Sequence, residues 1–505
     1  MAKRGKVWLV GAGPGDPGLI TVRGAEVLGQ AEVVLYDALS HPALLELCRS
    51  DAELRDVGKR GGQNSPDQSW ITEQLIALAQ AGRRVARLKG GDSFLFARGA
   101  EEALALADAG IDFEIVPGLS SPIGTAAYAG ISLTHRGMSS SVTFITGSNK
   151  AGEEWAEADW KKLATATDTV CILMGMRRLR FIADALMAGG RSPGTPTAVV
   201  QWGARPEQRV VEAPLSGLAD AVADAGLSNP AVVIIGEVAR LRQRLCWYDS
   251  RPLFGKRILV PRAAAQAKEA AHAIRQRGAE PVLFPVIEIH DPPDPEPLQR
   301  AAHNVASYDY VLFTSANGVE RFFGELRRQG KDARAFANAK VGVIGPRTGI
   351  MLEQYGIRPD LMAEQFVGEA LAAALAPFAP KRVLIPRALV ARDELPELLR
   401  KQGATVDVVP AYETKSIAPE KVRSLVTQFE AGEISAVLFT SSSTVTSLCD
   451  ALGADAAKIL GQSTVSCIGP ITAKTAVDRG LKVEVEASEY TLTGLLDALE
   501  MHFKR

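Results

Sequence analysis

Residues 257–289, RILVPRAAAQAKEAAHAIRQRGAEPVLFPVIEI, match residues 382–414, RVLIPRALVARDELPELLRKQGATVDVVPAYET, at an offset of 125 residues. Residues 311–326, VLFTSANGVERFFGEL, match residues 437–452, VLFTSSSTVTSLCDAL, and the shorter block VGVIGPRTGI has a counterpart in VSCIGPITAK. Three blocks agree in order and in spacing, which indicates a duplicated unit of strands alternating with helices. The second half of the chain is therefore predicted to form two similar α/β lobes with a cleft between them.

The first half of the chain also alternates short β-rich runs with helical stretches. KVWLVGAG, AEVVLYD, RRVARLKGGD and SVTFITGS are among these runs, and several of them lead into glycine-rich loops. The pattern is typical of an α/β fold, in which ligands bind at the loops after the strands. Near residue 241 the pattern changes to the charged and aromatic RLRQRLCWYDSRPLFGK. We therefore predict a domain at 1–247, a linker at 248–256 and a second domain at 257–505.

Composition limits the classes of function that the chain can have. It is too long, at 505 residues, for one hydrophobic core, and 57 basic against 58 acidic residues leave no overall field to attract nucleic acid or a membrane. No apolar run reaches transmembrane length, and MAKRGKVWLVGAGPG is not typical of a signal peptide. Five scattered cysteines without a CxxC pair fit a reducing cytoplasm, and six histidines without ligand spacing predict no metal site. We expect a cytoplasmic protein that binds neither nucleic acid nor membranes.

The segment VWLVGAGPGDPGLIT at 7–21 invites a dinucleotide-binding interpretation, and Asp37 follows at the spacing of a ribose-binding acid. A GxGxxG motif that starts at Gly11 requires a third glycine where the chain has Asp16. A carboxylate there would face the pyrophosphate at the helix N-terminus. Prolines and glycines also keep the chain out of a helix until about Thr21, the expected N-cap. We therefore disfavour a nicotinamide cofactor.

Eight motifs follow one another along the first half: GAGPGDPGLIT, YDAL, GKRGG, ARLKGGDSFLFARGAEE, VPGLSS, YAGISLTHRG, MGM and QWGARPEQRVVE. Through them residues 5–247 resemble the uroporphyrinogen-III C-methyltransferases. The resemblance implies the tetrapyrrole methyltransferase fold of two α/β subdomains, with S-adenosylmethionine as the methyl donor and no metal. Ser93 stands where the family has proline and Ala97 where it has glycine, and both small residues should leave the loop usable. The residues that the resemblance assigns to the donor site are Pro14, Gly90, Gly91, Asp92, Leu95, Ser120, Ser121, Met174, Gly203 and Ala231.

The same resemblance assigns catalytic and substrate-binding residues. Asp37 and Lys59 match the proton acceptor and proton donor of the family, and these roles suit a pyrrole-type ring that loses and gains protons. Two plainer interpretations stay open, Asp37 as a cap at a strand end and Lys59 as a carboxylate ligand. The substrate carries eight carboxylates, and a guanidinium fits a carboxylate, so Arg136 is the preferred clamp. The other candidate clamps are Arg98, Arg177, Arg178 and Arg205.

The second half resembles uroporphyrinogen-III synthase over residues 255–505, through the repeat and the motifs TSANGVE, GPRT, PRA, AYET, FTSSST and GPITA. The resemblance implies parallel sheets in two lobes, one at about 257–290 plus 414–505 and one at 291–413. It also implies closure of hydroxymethylbilane with inversion of the last ring, for which a cleft that orients the chain would suffice. Tyr412 is interpreted either as an acid for the departing hydroxyl or as a packing residue. The substrate-binding candidates, for which helix capping and inherited scaffold stay open, are Arg262, Ser315, Asn317, Thr348, Arg387, Ser441, Ser442 and Thr472.

Together the two resemblances predict a bifunctional enzyme of tetrapyrrole biosynthesis. The second half would make uroporphyrinogen III, and the first half would methylate it at C2 and C7 to give precorrin-2. The family suggests a homodimer through the first half, and a separate precorrin-2 dehydrogenase would act downstream. The alternative is a methyltransferase of another tetrapyrrole intermediate fused to a non-catalytic tetrapyrrole-binding module. Sirohaem and cobalamin both stay open as the destination of the product.

Overall fold

The computed structural model describes the chain in six stretches, residues 5–49, 51–58, 67–147, 157–262, 264–363 and 368–504. Its strands are β1 (Lys6–Gly11), β2 (Val33–Tyr36), β3 (Glu53–Asp56), β4 (Arg84–Lys89), β5 (Asp112–Val116), β6 (Val142–Thr146), β7 (Thr169–Leu173), β8 (Pro196–Gln201), β9 (Arg209–Pro214), β10 (Ala231–Ile235), β11 (Arg257–Val260), β12 (Glu280–Leu283), β13 (Ile287–His290), β14 (Tyr310–Phe313), β15 (Lys340–Val343), β16 (Leu361–Met362), β17 (Arg382–Ala388), β18 (Thr405–Ser416), β19 (Ala436–Phe439), β20 (Thr464–Cys467) and β21 (Val485–Glu486).

The α-helices are α1 (Val22–Leu28), α2 (Gln68–Gln80), α3 (Gly99–Asp108), α4 (Ser121–Tyr128), α5 (Glu157–Ala166), α6 (Leu179–Ala188), α7 (Leu218–Asp224), α8 (Arg242–Leu245), α9 (Ala264–Gln276), α10 (Glu296–His303), α11 (Ala316–Arg328), α12 (Pro346–Glu353), α13 (Gly368–Leu375), α14 (Glu394–Lys401), α15 (Pro419–Glu430), α16 (Ser442–Leu452), α17 (Ala456–Leu460), α18 (Pro470–Asp478) and α19 (Leu492–Phe503). Within the described stretches, no helix is both long and apolar enough to cross a membrane.

The chain forms two compact units. One comprises Met1–Ile258, His272–Pro281 and Glu500–Arg505, and the other comprises Leu259–Ala271 and Val282–Leu499. Both contain strands alternating with helices, so the α/β class predicted from the sequence is confirmed. The predicted limits of the domains and lobes remain predictions.

The first unit contains a parallel sheet with the order β3-β2-β4-β1-β5. Alternate residues of β1 pack on opposite faces of this sheet. Val7 and Leu9 share a core with α2 and α3, whereas Trp8 and Val10 share a core with α1. A strand covered on both faces is apolar almost throughout, which explains the run VWLV. The carboxyl ends of these strands meet at one edge of the sheet.

A second, mixed sheet in the same unit has the order β6-β7-β10-β8-β9. β6 runs parallel to β7, β10 runs antiparallel to both β7 and β8, and β8 runs antiparallel to β9. The first unit therefore contains two α/β subdomains, as the resemblance implied.

The predicted start of α1 is confirmed. Thr21 is its N-cap, and its hydroxyl accepts a hydrogen bond from Gly24 N at 3.0 Å. Asp16 caps a separate 3-10 turn at Pro17–Leu19, where its carboxylate accepts from Gly18 N at 2.7 Å. The Asp16 carboxylate also accepts from the Tyr128 hydroxyl on α4 at 2.7 Å. The acid at position 16 thus ties two segments together, which explains why this loop departs from the dinucleotide-binding motif.

The repeat in the second half produces two sheets, and each sheet contains strands from both copies of the repeat. One sheet has the order β12-β11-β19-β20-β21, and the other has the order β13-β18-β17-β14-β15-β16. β11 and β12 from the first copy therefore join β19 and β20 from the second copy, while β17 and β18 from the second copy join β14 and β15 from the first. Each sheet combines the start of one copy with the end of the other.

Aromatic side chains fill the core around β14 and α11. Phe322 is fully buried, and its ring centroid lies 5.8 Å from that of Phe313 and 5.9 Å from that of Phe336, both in edge-to-face geometry. Edge-to-face pairs of this kind add stabilisation beyond the area that they bury.

We predict that Phe322→Ala lowers the free energy of unfolding by about 3–5 kcal/mol, because it leaves a cavity in a closed core. Val390→Ala is the control, since Val390 is 88% exposed in the same unit, and a change within about 0.5 kcal/mol is expected there. Denaturant unfolding of the full chain measures both. Equal effects of the two substitutions would contradict this account of the core.

Candidate active site

A cavity of about 430 Å³ lies in the first unit, between loops of its two sheets. Its volume is within the usual range of small-molecule sites. The structure brings together in its lining all ten residues that the resemblance assigned to the donor site, namely Pro14, Gly90, Gly91, Asp92, Leu95, Ser120, Ser121, Met174, Gly203 and Ala231. Their roles in binding remain predictions.

Glycines let the backbone itself line this cavity. Gly13 and Gly91 exchange two hydrogen bonds, of 3.1 Å from Gly13 N and 2.8 Å from Gly91 N. A Cβ atom on Gly91 would lie 2.8 Å from the Ser121 hydroxyl, and one on Gly203 would lie 2.4 Å from the Thr125 side chain. Side chains at these positions would therefore force the lining apart.

The lining also carries backbone strain. Phe96, Met174 and Trp202 line the cavity with φ between 50° and 56°, and Arg98 and Ala204 next to the lining have φ of 60° and 61°. Left-handed backbone is costly for residues with a side chain and is found most often at functional sites. Clustering of such residues around a cavity is typical of a functional site.

Asp92 joins two loops of the first sheet. One carboxylate oxygen accepts from Phe94 N at 2.8 Å, and the other accepts from Gly118 N at 2.9 Å. The two departures from the family motif are accommodated nearby, because the fully buried Ser93 donates to Leu9 O at 3.4 Å and Ala97 lines the cavity.

Arg205 connects the two subdomains through its contact with Leu39, here called the clasp. Its guanidinium donates to Leu39 O at 2.6 Å and lies 5.0 Å from the centre of the Trp202 ring. Burial lowers the pKa of Arg205. Both Leu39 and Arg205 line the cavity, so the clasp holds the loop after β2 against the loop after β8.

The predicted catalytic and clamp residues of the first half have different surroundings. Asp37 follows β2 and forms an ion pair with the buried Arg87, while Lys59 lies outside the described residues. Arg136 is exposed on a turn and is not among the residues that line the cavity. Arg98 pairs with Glu101 at 2.7 Å, and Arg178 lies over the Phe181 ring. Of the five candidate clamps, the structure brings only Arg205 into the lining.

In the second half, the predicted residues lie after or at the carboxyl ends of parallel strands. Ser315 and Asn317 follow β14, Thr348 follows β15, Arg387 lies near the end of β17, Ser441 and Ser442 follow β19, and Thr472 follows β20. Arg262, after β11, has its pKa lowered by burial and then by the neighbouring Arg347. Thr348 and Thr472 are buried, which favours packing or capping roles for these two.

Tyr412 is buried in the aromatic core of this half, and its hydroxyl lies 3.0 Å from the Ser315 hydroxyl. Ser315 is also the N-cap of α11, where it accepts from Gly318 N at 3.0 Å. The pair therefore links β18 to the first turn of α11.

A cavity of about 390 Å³ lies at the same edge of the β17-β14-β15 part of the sheet. Thr314, Ile344 and Arg387 line it, one from the end of each of the three strands. This is the point at which the strand order reverses, where open α/β sheets commonly bind ligands. Arg387 pairs with Asp393 beside the cavity.

Each half of the chain matches a known protein family. Residues 6–219 match the family of Tetrapyrrole (Corrin/Porphyrin) Methylases, and residues 268–497 match Uroporphyrinogen-III synthase HemD. Porphyrin biosynthesis protein HemD of Ruminiclostridium josui is 36% identical over 501 residues, which are 98% of either chain. The chain belongs to this family of fused uroporphyrinogen-III C-methyltransferase and synthase domains.

Relatives of the methyltransferase domain alone are also similar. Uroporphyrinogen-III C-methyltransferase of Sinorhizobium sp is 47% identical over 264 residues, 51% of this chain and 94% of the relative. The solved structure of uroporphyrin-III C-methyl transferase from Thermus thermophilus, complexed with S-adenyl homocysteine, is 37% identical with a TM-score of 0.41, over 47% of this chain and 99% of that chain. The fusion protein is thus an enzyme with S-adenosylmethionine-dependent methyltransferase and synthase domains.

Sequence reasoning missed several lining residues of the methyltransferase domain. Leu39, Phe96 and Trp202 were not singled out, and Arg205 was considered only as a substrate clamp. Phe96 and Trp202 each adjoin an assigned position, so proximity to a motif could have indicated them.

Among the described residues, no group of three or more His, Cys, Asp or Glu side chains could hold a metal.

We predict that Tyr412→Phe lowers the stability of the synthase domain by about 1 kcal/mol, because it removes one hydrogen bond. Ser315→Ala should cost more, about 1–3 kcal/mol, because it removes both the N-cap of α11 and the partner of Tyr412. Denaturant unfolding of both variants and of the double variant measures the coupling. Fully additive effects would mean that the two hydroxyls do not interact.

Proposed function

We propose that the synthase domain closes hydroxymethylbilane to uroporphyrinogen III with inversion of ring D and loss of the terminal hydroxyl as water. The methyltransferase domain then transfers two methyl groups from S-adenosylmethionine to C2 and C7, giving precorrin-2. The observation that carries the proposal is the convergence of ten assigned donor-site residues on one cavity, within a chain that resembles a fused relative along its whole length.

The cavity suits a donor held mainly by backbone. Gly90, Gly91 and Gly203 leave room for a ligand to approach main-chain groups, and Leu95 and Met174 supply apolar contacts. When bound, S-adenosylmethionine supplies an already activated methyl group. The protein therefore needs chiefly to align the methyl group with the ring carbon and to exclude water. In this proposal Asp37 accepts the proton that the ring loses after methylation, and Lys59 donates one.

Apolar side chains around the cavity fit the face of a tetrapyrrole. Leu39, Phe94, Phe96 and Met174 are between 39% and 50% exposed, which is unusual for such large apolar residues. A macrocycle could cover them while its carboxylates meet cationic side chains. Arg136 remains the preferred clamp, on the strength of its place in the family motif.

In the synthase domain, loops at the carboxyl ends of the strands would orient the bilane. Ser441, Ser442 and Ser315 lie on these loops, and Arg387 borders the cavity after β17. The burial of Tyr412 and its bond to Ser315 favour a packing role over that of an acid. Closure then depends on holding the reactive ends of the substrate in the orientation that yields the inverted ring.

The proposal also covers the oligomeric state, the location and the enzyme that acts next. We infer a homodimer through the methyltransferase domain, a cytoplasmic location and a separate dehydrogenase that acts on precorrin-2. The family resemblance supports the homodimer, and the five scattered cysteines without a CxxC pair support the cytoplasmic location.

One incubation tests both activities. The full chain is mixed with hydroxymethylbilane and methyl-labelled S-adenosylmethionine, and the expected product is a tetrapyrrole with labelled methyl groups at C2 and C7. Without the donor, the expected product is uroporphyrinogen III. Formation of the type I isomer alone would refute the synthase proposal, whereas unlabelled uroporphyrinogen III in the complete mixture would refute the methyltransferase proposal.

We predict that Arg205→Ala weakens the affinity for S-adenosylhomocysteine about ten-fold, because it removes a charge-assisted hydrogen bond that closes the cavity. Arg205→Lys should be intermediate, because lysine keeps the charge without the planar contact to Trp202. Isothermal titration calorimetry measures the affinities.

Arg209→Ala is the matched control, since Arg209 also donates to a main-chain oxygen, Ala225 O at 2.6 Å, but is not among the residues that line the cavity. Its affinity should stay within about two-fold of wild type. Wild-type affinity in Arg205→Ala would show that the clasp does not support donor binding.

A further inference from the structure

A cluster of charged side chains is buried beneath the glycine loop of the methyltransferase domain. Glu102 on α3 has no exposed surface, and Arg87 and Lys89 on β4 are each 2% exposed. Removing ions from water costs several kcal/mol each unless they are paired and hydrogen-bonded. A cluster of this kind is a weak source of stability, which favours another role for it.

Glu102 is the centre of this cluster. Its Oε1 accepts from Lys89 Nζ at 2.9 Å, from the Gln68 side-chain amide at 2.8 Å and from Arg87 Nε at 3.3 Å. Its Oε2 has no hydrogen-bond partner among the described residues. One carboxylate oxygen therefore sets the positions of three side chains from β4 and α2.

From this centre, contacts lead to the active site along two routes. Arg87 donates through Nη1 to Leu35 O and Leu88 O, at 3.4 and 3.3 Å, and its Nη2 pairs with Asp37. Lys89 directly precedes Gly90 and Gly91, which line the cavity. Glu102 therefore contacts two residues that lead to the site. Arg87 pairs with Asp37, the proposed proton acceptor, and Lys89 adjoins the glycine loop that is proposed to bind the donor.

We propose that Glu102 is a positioning residue for methyl transfer, which fixes Arg87 and through it the orientation and charge environment of Asp37. The inference rests on the proposed role of Asp37. Glu102 itself is too deeply buried to contact the substrate, and so it acts only through its neighbours.

The charges around Asp37 show how Glu102 would act on it. Arg87 and Lys89 face Asp37 from β4, with Glu102 behind them on α3, and Asp56 ends the neighbouring strand β3. Burial lowers the pKa of Lys89, and the adjacent Arg87 lowers it further, while Glu102 acts in the opposite direction. Without the charge of Glu102, Arg87 and Lys89 would lose the counter-ion that they share, and Arg87 would no longer be held in place beside Asp37.

The test uses the full chain with Glu102→Gln, which keeps the shape of the side chain and removes its charge. The methyl-transfer kcat should fall at least about ten-fold, because the base is misplaced. The dissociation constant for S-adenosylhomocysteine should stay within about two-fold.

Two further variants separate positioning from general damage. Glu102→Asp keeps the charge but withdraws the carboxylate by one methylene, so its kcat should lie between those of Glu102→Gln and wild type. Glu325→Gln is the matched control, because Glu325 is also buried and pairs with Arg328 at 2.7 Å, but in the second unit. Its methyl-transfer rate should equal that of wild type.

Two results would overturn the proposal: a kcat within two-fold of wild type in Glu102→Gln, or a parallel loss of S-adenosylhomocysteine affinity. If Glu102→Gln does not fold, the proposal stands or falls on Glu102→Asp, in which wild-type kcat would refute it. Asp37→Asn tests the underlying role separately, since full activity in that variant would refute Asp37 as proton acceptor whatever the Glu102 variants do.

Discussion

Three strand ends of the methyltransferase domain approach each other so closely that each requires glycine. A Cβ atom on Gly11 would lie 2.5 Å from Gly118 N, and one on Gly118 would lie 2.5 Å from Gly91 O. Gly91 also has a φ of 70°, which favours glycine. Because main chain meets main chain here, the loops after β1, β4 and β5 form a continuous edge, and the cavity opens above it. The rest of the site depends on this backbone contact.

Polar side chains then fix the loops that surround this edge. Asp92 joins two of them from within the first subdomain, and Arg205 joins the first subdomain to the second. Below the loops, the buried ions around Glu102 connect β4 to α2 and α3. Oriented groups of this kind stay in place while a substrate reacts, which is how a protein without a covalent nucleophile can still favour one geometry.

In the synthase domain, the internal duplication places equivalent loops at the edges of the two sheets. Each of its sheets combines the first part of one copy with the last part of the other, so both copies contribute loops to each sheet edge. The repeated TS and GP motifs consequently recur at equivalent places after β14, β15, β19 and β20. The duplication supplies matching edges, and differences such as Arg347 against Ile471 make the two edges chemically distinct.

The sequence by itself determined the α/β class, the internal repeat and the cap at Thr21, which depend on local patterns that are readable from neighbouring residues. The ten residues that converge on one cavity came from the resemblance of its motifs to a known family. Only the tertiary structure decided the clasp between Arg205 and Leu39, 166 residues apart, and the bond between Tyr412 and Ser315, 97 residues apart. The tertiary structure also decided that Glu102 is buried and that Arg136 lies on an exposed turn. The partner of a long polar side chain depends on which distant strands become neighbours and how deeply they are buried, and no local pattern encodes that.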